Sequence, residues 1–91
     1  MVGPAGNPPI AQLKLYVKVW CPWCIAAKSE LARRGLSYEE LDVEQNGAAY
    51  REMIALSGQS RTPTLVIGDR VLANFGPDEL EPFLAENGGS A

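Results

Sequence analysis

The stretch that decides the fold is 13–24, Leu-Lys-Leu-Tyr-Val-Lys-Val-Trp-Cys-Pro-Trp-Cys. Its first eight residues combine β-branched and aromatic side chains with alternating lysines, a pattern that predicts a strand. Pro22 suits the first position of a helix, and Arg33, Arg34 and Gly35 are typical of a helix end. Between these limits, helical spacing is kept by Ile25, Lys28, Leu31 and Ala32. The sequence therefore predicts a strand-to-helix turn at Cys21 and Cys24.

The rest of the chain continues the alternation of strands and helices. Apolar side chains predict strands over 37–43, 64–67 and 70–73, and a helix over 46–56. A last helix opens at Gly76-Pro77-Asp78-Glu79, where proline and acids suit the first turn, and its buried stripe is Leu80, Phe83 and Leu84. The order is β-α-β-α-β-β-α. It predicts an α/β fold in which three helices pack on a four-stranded mixed sheet.

The composition limits the size and the partners of the domain. Ninety-one residues, 46% of them hydrophobic, suffice for one core. We expect one domain over 13–87, with a flexible tail at 1–12 and a disordered tail at 88–91. A net charge of -3 without basic runs argues against nucleic acid and anionic membranes as partners. A chain this short should bind its substrates in a surface groove, and we expect a monomer.

The N-terminal residues contain no positive run followed by an apolar stretch, so they do not resemble a signal peptide. No segment approaches the roughly 18 apolar residues of a membrane helix. We therefore expect a cytoplasmic protein. In that reducing compartment two cysteines are usually catalytic or metal-binding rather than structural.

The cysteine pair is the most specific chemical signal of the sequence. A thiol at a helix N-terminus has a lowered pKa because backbone amides and the helix dipole stabilise the thiolate. Cys21 is therefore predicted to be the nucleophile, and Cys24, one turn further along, the resolving thiol. Lys18 is either a group that stabilises the thiolate or binds a substrate carboxylate, or a solvated strand lysine.

Two other roles are open to the cysteine pair, a metal site and a structural disulfide. A zinc site needs four ligands, and two cysteines in a chain without histidine cannot complete one, so a metal would have to be shared between two chains. A structural disulfide across one helical turn closes a very short loop and contributes little stability. Both alternatives are weaker than redox catalysis.

Two segments resemble the glutaredoxins. Tyr16–Cys24 is similar to the family's Tyr-Thr-Lys-x-x-Cys-Pro-Tyr-Cys, with Trp23 in place of tyrosine, and 57–63 is similar to Thr-Gly-Gln-Arg-Thr-Val-Pro. The resemblance implies a thioredoxin-like fold and glutathione as co-substrate. It also implies that Lys18 and Gln59 contact glutathione, and that Pro63 is a cis-proline holding Thr62 so that its backbone pairs with the substrate. Without the resemblance, Pro63 would be interpreted as a trans turn proline.

The sequence departs from the glutaredoxin pattern at two places. Arg61-Thr62-Pro63 replaces Thr-Val-Pro, so Arg61 either supplements Lys18 in binding a carboxylate or faces solvent. The segment 73–78, Ala-Asn-Phe-Gly-Pro-Asp, resembles the Ser-Gly-Phe-Arg-Pro-Asp segment of the glutaredoxin-like hydrogen donors of ribonucleotide reductase. Those relatives are reduced by thioredoxin reductase. Asp78 either receives a γ-glutamyl amine or complements the helix dipole.

These arguments predict a dithiol oxidoreductase that reduces protein disulfides or glutathione-mixed disulfides. The candidate glutathione-binding residues are Lys18, Trp23, Gln59, Arg61, Thr62, Pro63, Pro77 and Asp78. The alternatives are a ribonucleotide-reductase-type donor reduced by thioredoxin reductase, and a carrier of an iron-sulfur cluster. We expect no metal, because Pro22 follows the first cysteine, and in related glutaredoxins cluster binding tends to go with departures from that proline. Thioredoxin itself is disfavoured, because the twelve residues before Leu13 cannot supply its additional strand and helix.

Overall fold

The computed structural model describes residues 13–86 and confirms the predicted order of elements. The strands are β1 (Leu13–Val17), β2 (Glu39–Asp42), β3 (Thr64–Ile67) and β4 (Arg70–Ala73), and the helices are α1 (Pro22–Arg33), α2 (Gly47–Ser57) and α3 (Pro77–Glu86). The predicted tails, 1–12 and 88–91, and position 87 of the predicted domain lie outside the described residues.

The strand pairing of the sheet brings the segment after β1 close to the segment before β3. Its strand order is β2-β1-β3-β4, with β1 parallel to β2 and antiparallel to β3, and β3 antiparallel to β4. Tyr16 near the end of β1 lies opposite Thr64 at the start of β3. The segment that leaves β1 and the segment that enters β3 therefore meet at one edge of the sheet, which places Cys21 beside Pro63.

The strands divide their side chains between two apolar clusters, because neighbouring residues of a strand face opposite sides of the sheet. Leu13, Leu15 and Val17 join the larger cluster, which also contains buried residues of α1 and α3 and both cysteines. Tyr16 faces the other side, where it packs with Ala49 and Met53 of α2. The fold is thus a three-layer arrangement, with α1 and α3 on one face of the sheet and α2 on the other.

Strand β1 is shorter than the predicted 13–20, and β2 is shorter than the predicted 37–43. The chain turns at the end of β1, since the Cys21 amide donates to the Lys18 carbonyl at 3.2 Å. Val19 and Trp20 stand in this turn with about two thirds of their surface exposed. A prediction from apolar composition alone therefore makes β1 too long.

The three helices form where the sequence predicts them, but the buried residues of α1 and α2 differ from the predicted ones. The inward residues of α1 are Cys24, Ala27 and Leu31, while Ile25, one residue or 100° out of phase, is 55% exposed. Helix α2 buries Ala49 and Met53 and leaves Tyr50, Ile54 and Leu56 partly exposed. In α3 the predicted stripe is confirmed, with Leu80 and Leu84 buried and Phe83 packed beside them.

Candidate active site

Cys21 is the N-cap of α1, as its position before Pro22 predicts. Its sulfur accepts a hydrogen bond from the Cys24 amide at 3.2 Å, so it takes the place of the side-chain oxygen that usually caps a helix. Burial alone would raise the pKa of the Cys21 thiol. Hydrogen bonds from Cys24, Thr62 and the Trp23 amide outweigh that effect, and together they lower the pKa below its ordinary value. The thiolate of Cys21 is therefore favoured by its local backbone.

Cys24 lies beneath Cys21 with none of its surface exposed, and both cysteines are free thiols. Burial first, and then the hydrogen bond with Cys21, which keeps the proton on Cys24, raise the pKa of Cys24 to about 11. The two thiols are therefore differentiated in the way that the sequence predicts for a nucleophile and a resolving thiol. The pair can attack a disulfide from Cys21 while Cys24 stays protonated in reserve.

The Thr62–Pro63 peptide bond is cis, as the glutaredoxin resemblance implies. The Thr62 carbonyl lies 3.8 Å from the Cys21 sulfur, and the amide of Thr62 makes no hydrogen bond within residues 13–86. The Pro63 carbonyl accepts from the Asn74 amide at 2.8 Å, where Asn74 has a left-handed φ of 53°. Thr62 thus lies beside the reactive sulfur through its carbonyl, and its amide is free within the described residues. Asn74 was not among the predicted residues, although asparagine is the usual non-glycine residue in that conformation.

Gln59 lies in the same loop, but its side chain is committed to the loop itself. Its Nε2 donates to Ser57 Oγ at 3.0 Å, to the Arg61 carbonyl at 3.2 Å and to Thr64 Oγ1 at 3.2 Å. Its Oε1 accepts from the Arg61 amide at 2.7 Å. The fully buried Thr64 closes the network by donating to the Arg61 carbonyl at 2.9 Å. The structure therefore gives Gln59 a role in shaping the loop that carries Thr62 and Pro63.

Trp23 connects the cysteine turn to the loop before α3. Its ring lies against Gly76, where a Cβ atom would stand 3.6 Å from the ring carbons, and half of the Trp23 surface is exposed. The Gly76 amide donates to Glu79 Oε1 at 2.9 Å, so Glu79 is the acid that caps this helix start. Pro77 and Asp78 are exposed beside it. The first turn of α3 therefore borders the cysteine turn through Trp23.

Two cations belong to the segments around Cys21. Lys18 is half-buried, and its Nζ lies 5.6 Å from the centre of the Trp20 ring. Arg61 is exposed and has no ion pair within the described residues. Both side chains are available to an anionic substrate. Sequence reasoning missed one neighbour, Glu44, whose carboxylate oxygens each accept from Trp20 Nε1 at 3.1 Å. Because Trp20 and Glu44 are 24 positions apart, no local sequence pattern indicates their contact.

Residues 13–86 contain no group of three or more cysteine, aspartate or glutamate side chains placed to hold a metal ion. Within the same residues, no helix combines the length and apolar composition needed to cross a bilayer.

Comparisons with known proteins identify the family of the chain. The glutaredoxin family model matches residues 13–72. Glutaredoxin 3 of Escherichia coli is 34% identical over 79 residues, which cover 87% of this chain and 93% of that protein. The solved thioredoxin-like protein BC3987 has a TM-score of 0.74 and 32% identity, covering 80% of this chain and 100% of its own.

A second solved structure is also similar to this chain. It is the glutaredoxin-like protein NrdH-redoxin from Escherichia coli, described as having a thioredoxin-like activity profile. Its TM-score is 0.66 and its identity 25%, over 78% of this chain and 92% of that chain. Fold, cysteine spacing and family match agree, and this chain belongs to the glutaredoxin family of thiol-disulfide oxidoreductases.

Proposed function

We propose that the protein reduces protein disulfides and glutathione-mixed disulfides, with glutathione as co-substrate. The observation that carries this proposal is the difference between its two thiols. Cys21 caps a helix and has a lowered pKa, whereas the pKa of the buried Cys24 is raised to about 11. The pair therefore holds one thiolate for attack and one protonated thiol for the second step.

The reaction follows from that difference. The Cys21 thiolate attacks one sulfur of the substrate disulfide, the substrate S–S bond breaks, and the departing thiolate takes a proton from water. Cys21 is then joined to the substrate by a mixed disulfide. Either Cys24 loses its proton and attacks the Cys21 sulfur, which breaks the mixed disulfide and releases the substrate sulfur as a thiolate, or a glutathione thiolate attacks the sulfur of a glutathione bound to Cys21, which releases glutathione disulfide and the Cys21 thiolate. When Cys24 attacks, two glutathione molecules reduce the resulting Cys21–Cys24 disulfide and leave as glutathione disulfide.

The residues around Cys21 support a peptide thiol as substrate. The unpaired Thr62 amide is suited to pair with the backbone of a cysteinyl residue bound at Cys21. Lys18 and Arg61 can receive carboxylates, and Asp78 at the start of α3 can receive an amine. Gln59 contributes indirectly, by holding the loop. A tripeptide with two carboxylates and one amine, such as glutathione, matches this set of groups.

The test is a coupled assay that offers glutathione with glutathione reductase and, separately, thioredoxin reductase. The wild type should turn over a glutathione-mixed disulfide with the first system. Cys21→Ser should abolish turnover, and Cys24→Ser should keep turnover of the glutathione-mixed disulfide while losing that of a protein disulfide. An exposed serine variant, Ser29→Ala, is the matched control. Turnover that survives in Cys21→Ser would refute the proposal.

A second candidate is an electron donor of the ribonucleotide-reductase type that thioredoxin reductase reduces. The resemblance of segment 73–78 and the structural likeness to NrdH-redoxin favour it. The same assay separates the candidates, because turnover with thioredoxin reductase and none with glutathione would select the donor. Both functions fit the cytoplasm, where we place the protein. Cell fractionation with an antibody against the chain tests that placement.

A further inference from the structure

In the turn between β1 and α1, Lys18 precedes the reactive Cys21 by three residues. The Cys21 amide donates to the Lys18 carbonyl at 3.2 Å, so Lys18 and Cys21 stand at the two ends of one four-residue turn. Trp20 is the residue before Cys21, and 65% of its surface is exposed. The Lys18 ammonium lies 5.6 Å from the centre of the Trp20 ring, within the range of a cation–π contact.

Glu44 fixes that ring from the neighbouring segment. Both of its carboxylate oxygens lie 3.1 Å from Trp20 Nε1. The Glu44 backbone is itself anchored, because its amide donates to Asp42 Oδ1 at 2.9 Å. The preceding residue, Val43, donates to the Val17 carbonyl at the end of β1 at 3.0 Å. The Trp20 indole therefore links the turn after β1 to the turn after β2.

Glu44 also affects the strength of the lysine contact. An N–H bond to a carboxylate is charge-assisted, and it increases the electron density of the ring that faces the lysine cation. Two attractions therefore hold the Lys18 ammonium near the turn: one from the Trp20 ring, and one from the Glu44 carboxylate at the edge of that ring. A lysine held in this way loses less side-chain entropy on binding a carboxylate than a freely moving lysine does.

We propose that Glu44 and Trp20 are positioning residues that hold the Lys18 ammonium over the Cys21 turn and thereby favour disulfide substrates that carry a carboxylate. The inference rests on the proposed function, since it concerns the first attack by Cys21. It adds a specificity device to that site: Glu44 acts through Trp20, Trp20 acts through Lys18, and only Lys18 meets the substrate.

The test measures single-turnover rate constants of the reduced protein with two mixed disulfides of one cysteinyl peptide. One carries glutathione, and the other carries glutathione with both carboxylates esterified, so the two substrates differ only in charge and ester groups. Glu44→Ala should lower the rate constant for the first substrate about two- to fivefold, the range that an exposed cation–π contact supports. It should leave the rate constant for the ester unchanged.

Three further variants separate positioning from general disturbance. Trp20→Phe keeps a ring for Lys18 but has no N–H for Glu44, and it should reproduce the selective loss. Glu44→Ala should have no further effect in a Lys18→Gln background. Glu39→Ala is the matched control, because it removes a glutamate from the opposite end of β2, where Glu39 pairs with Lys14. It should leave both rate constants unchanged.

The outcomes also distinguish this inference from the proposed function. An equal fall for both substrates, or no fall for either, in a Glu44→Ala protein with normal thermal unfolding would overturn the positioning role. Failure of the wild type to react with either mixed disulfide would instead refute the proposed function, on which the positioning role depends.

Discussion

The substitution Gln59→Ala tests the loop that presents Thr62 and Pro63. The alanine removes the Nε2 donor, whose two protons are shared among three acceptors, and the Oε1 acceptor of the Arg61 amide. An internal hydrogen bond contributes about 0.5–1.5 kcal/mol net, and water can replace part of this half-buried network. We therefore expect a loss of about 1–2 kcal/mol in the free energy of unfolding. For a domain of this size, the melting temperature should fall by about 5–15 °C.

The same variant has a kinetic signature. If Gln59 shapes the loop, its loss disturbs the Thr62 carbonyl near Cys21 and slows reaction with every disulfide, charged or uncharged. The assay is thermal unfolding followed by circular dichroism, combined with single-turnover rates on a glutathione-mixed disulfide and on an uncharged disulfide. Gln59→Glu is the near-isosteric comparison, because it keeps an acceptor for the Arg61 amide but loses the Nε2 donor. Unchanged stability with a selective loss toward glutathione would refute the loop role and restore the direct contact implied by the resemblance.

Three other predictions concern the cysteines and the helix ends. Because the folded pKa of Cys21 is lowered, its alkylation by iodoacetamide should rise with pH through a midpoint below that of an ordinary thiol. Cys24, whose pKa is raised, should resist alkylation until about pH 11. Mass spectrometry at a series of pH values measures both midpoints, and one common midpoint would contradict this prediction. Asn46→Ala removes the side-chain acceptor for the Ala49 amide at the start of α2, and urea unfolding should show a loss of about 1 kcal/mol, with Asn46→Ser as the conservative control. Glu79→Ala should lower stability by about 0.5–1.5 kcal/mol because the Gly76 amide loses its acceptor, and an equal loss in Glu79→Gln would count against this explanation.

Much of the fold is accessible from the sequence because its signals are local. Three residues each mark an end of one helix: Pro22 begins α1, Gly58 in a left-handed conformation ends α2, and Pro77 begins α3. These signals depend only on neighbouring residues, so the order of elements follows from them. The order then dictates which strands pair, and that pairing brings Cys21 to Pro63.

The remaining features depend on contacts between distant segments. Local pattern does not show that Ile25 faces solvent, because the phase of α1 is set by how Cys24, Ala27 and Leu31 fit the sheet and α3. Nor does it show that Glu44 reaches Trp20, which requires the parallel pairing of β1 and β2. The hydrogen bonds of Gln59 reach only Ser57, Arg61 and Thr64, but they depend on the folded conformation of the loop rather than on a sequence pattern.

Both cysteine sulfurs belong to the larger apolar cluster, together with Phe75, Leu31 and Leu84. The oxidation state of the pair is therefore coupled to the packing of the core through a thermodynamic cycle: folding in the reduced and oxidised forms, and reduction in the folded and unfolded states. A core substitution that favours the reduced form over the oxidised form by about 1.4 kcal/mol makes the pair a stronger oxidant by about 30 mV. In this small domain, side chains that never meet a substrate help to set the reduction potential of the enzyme.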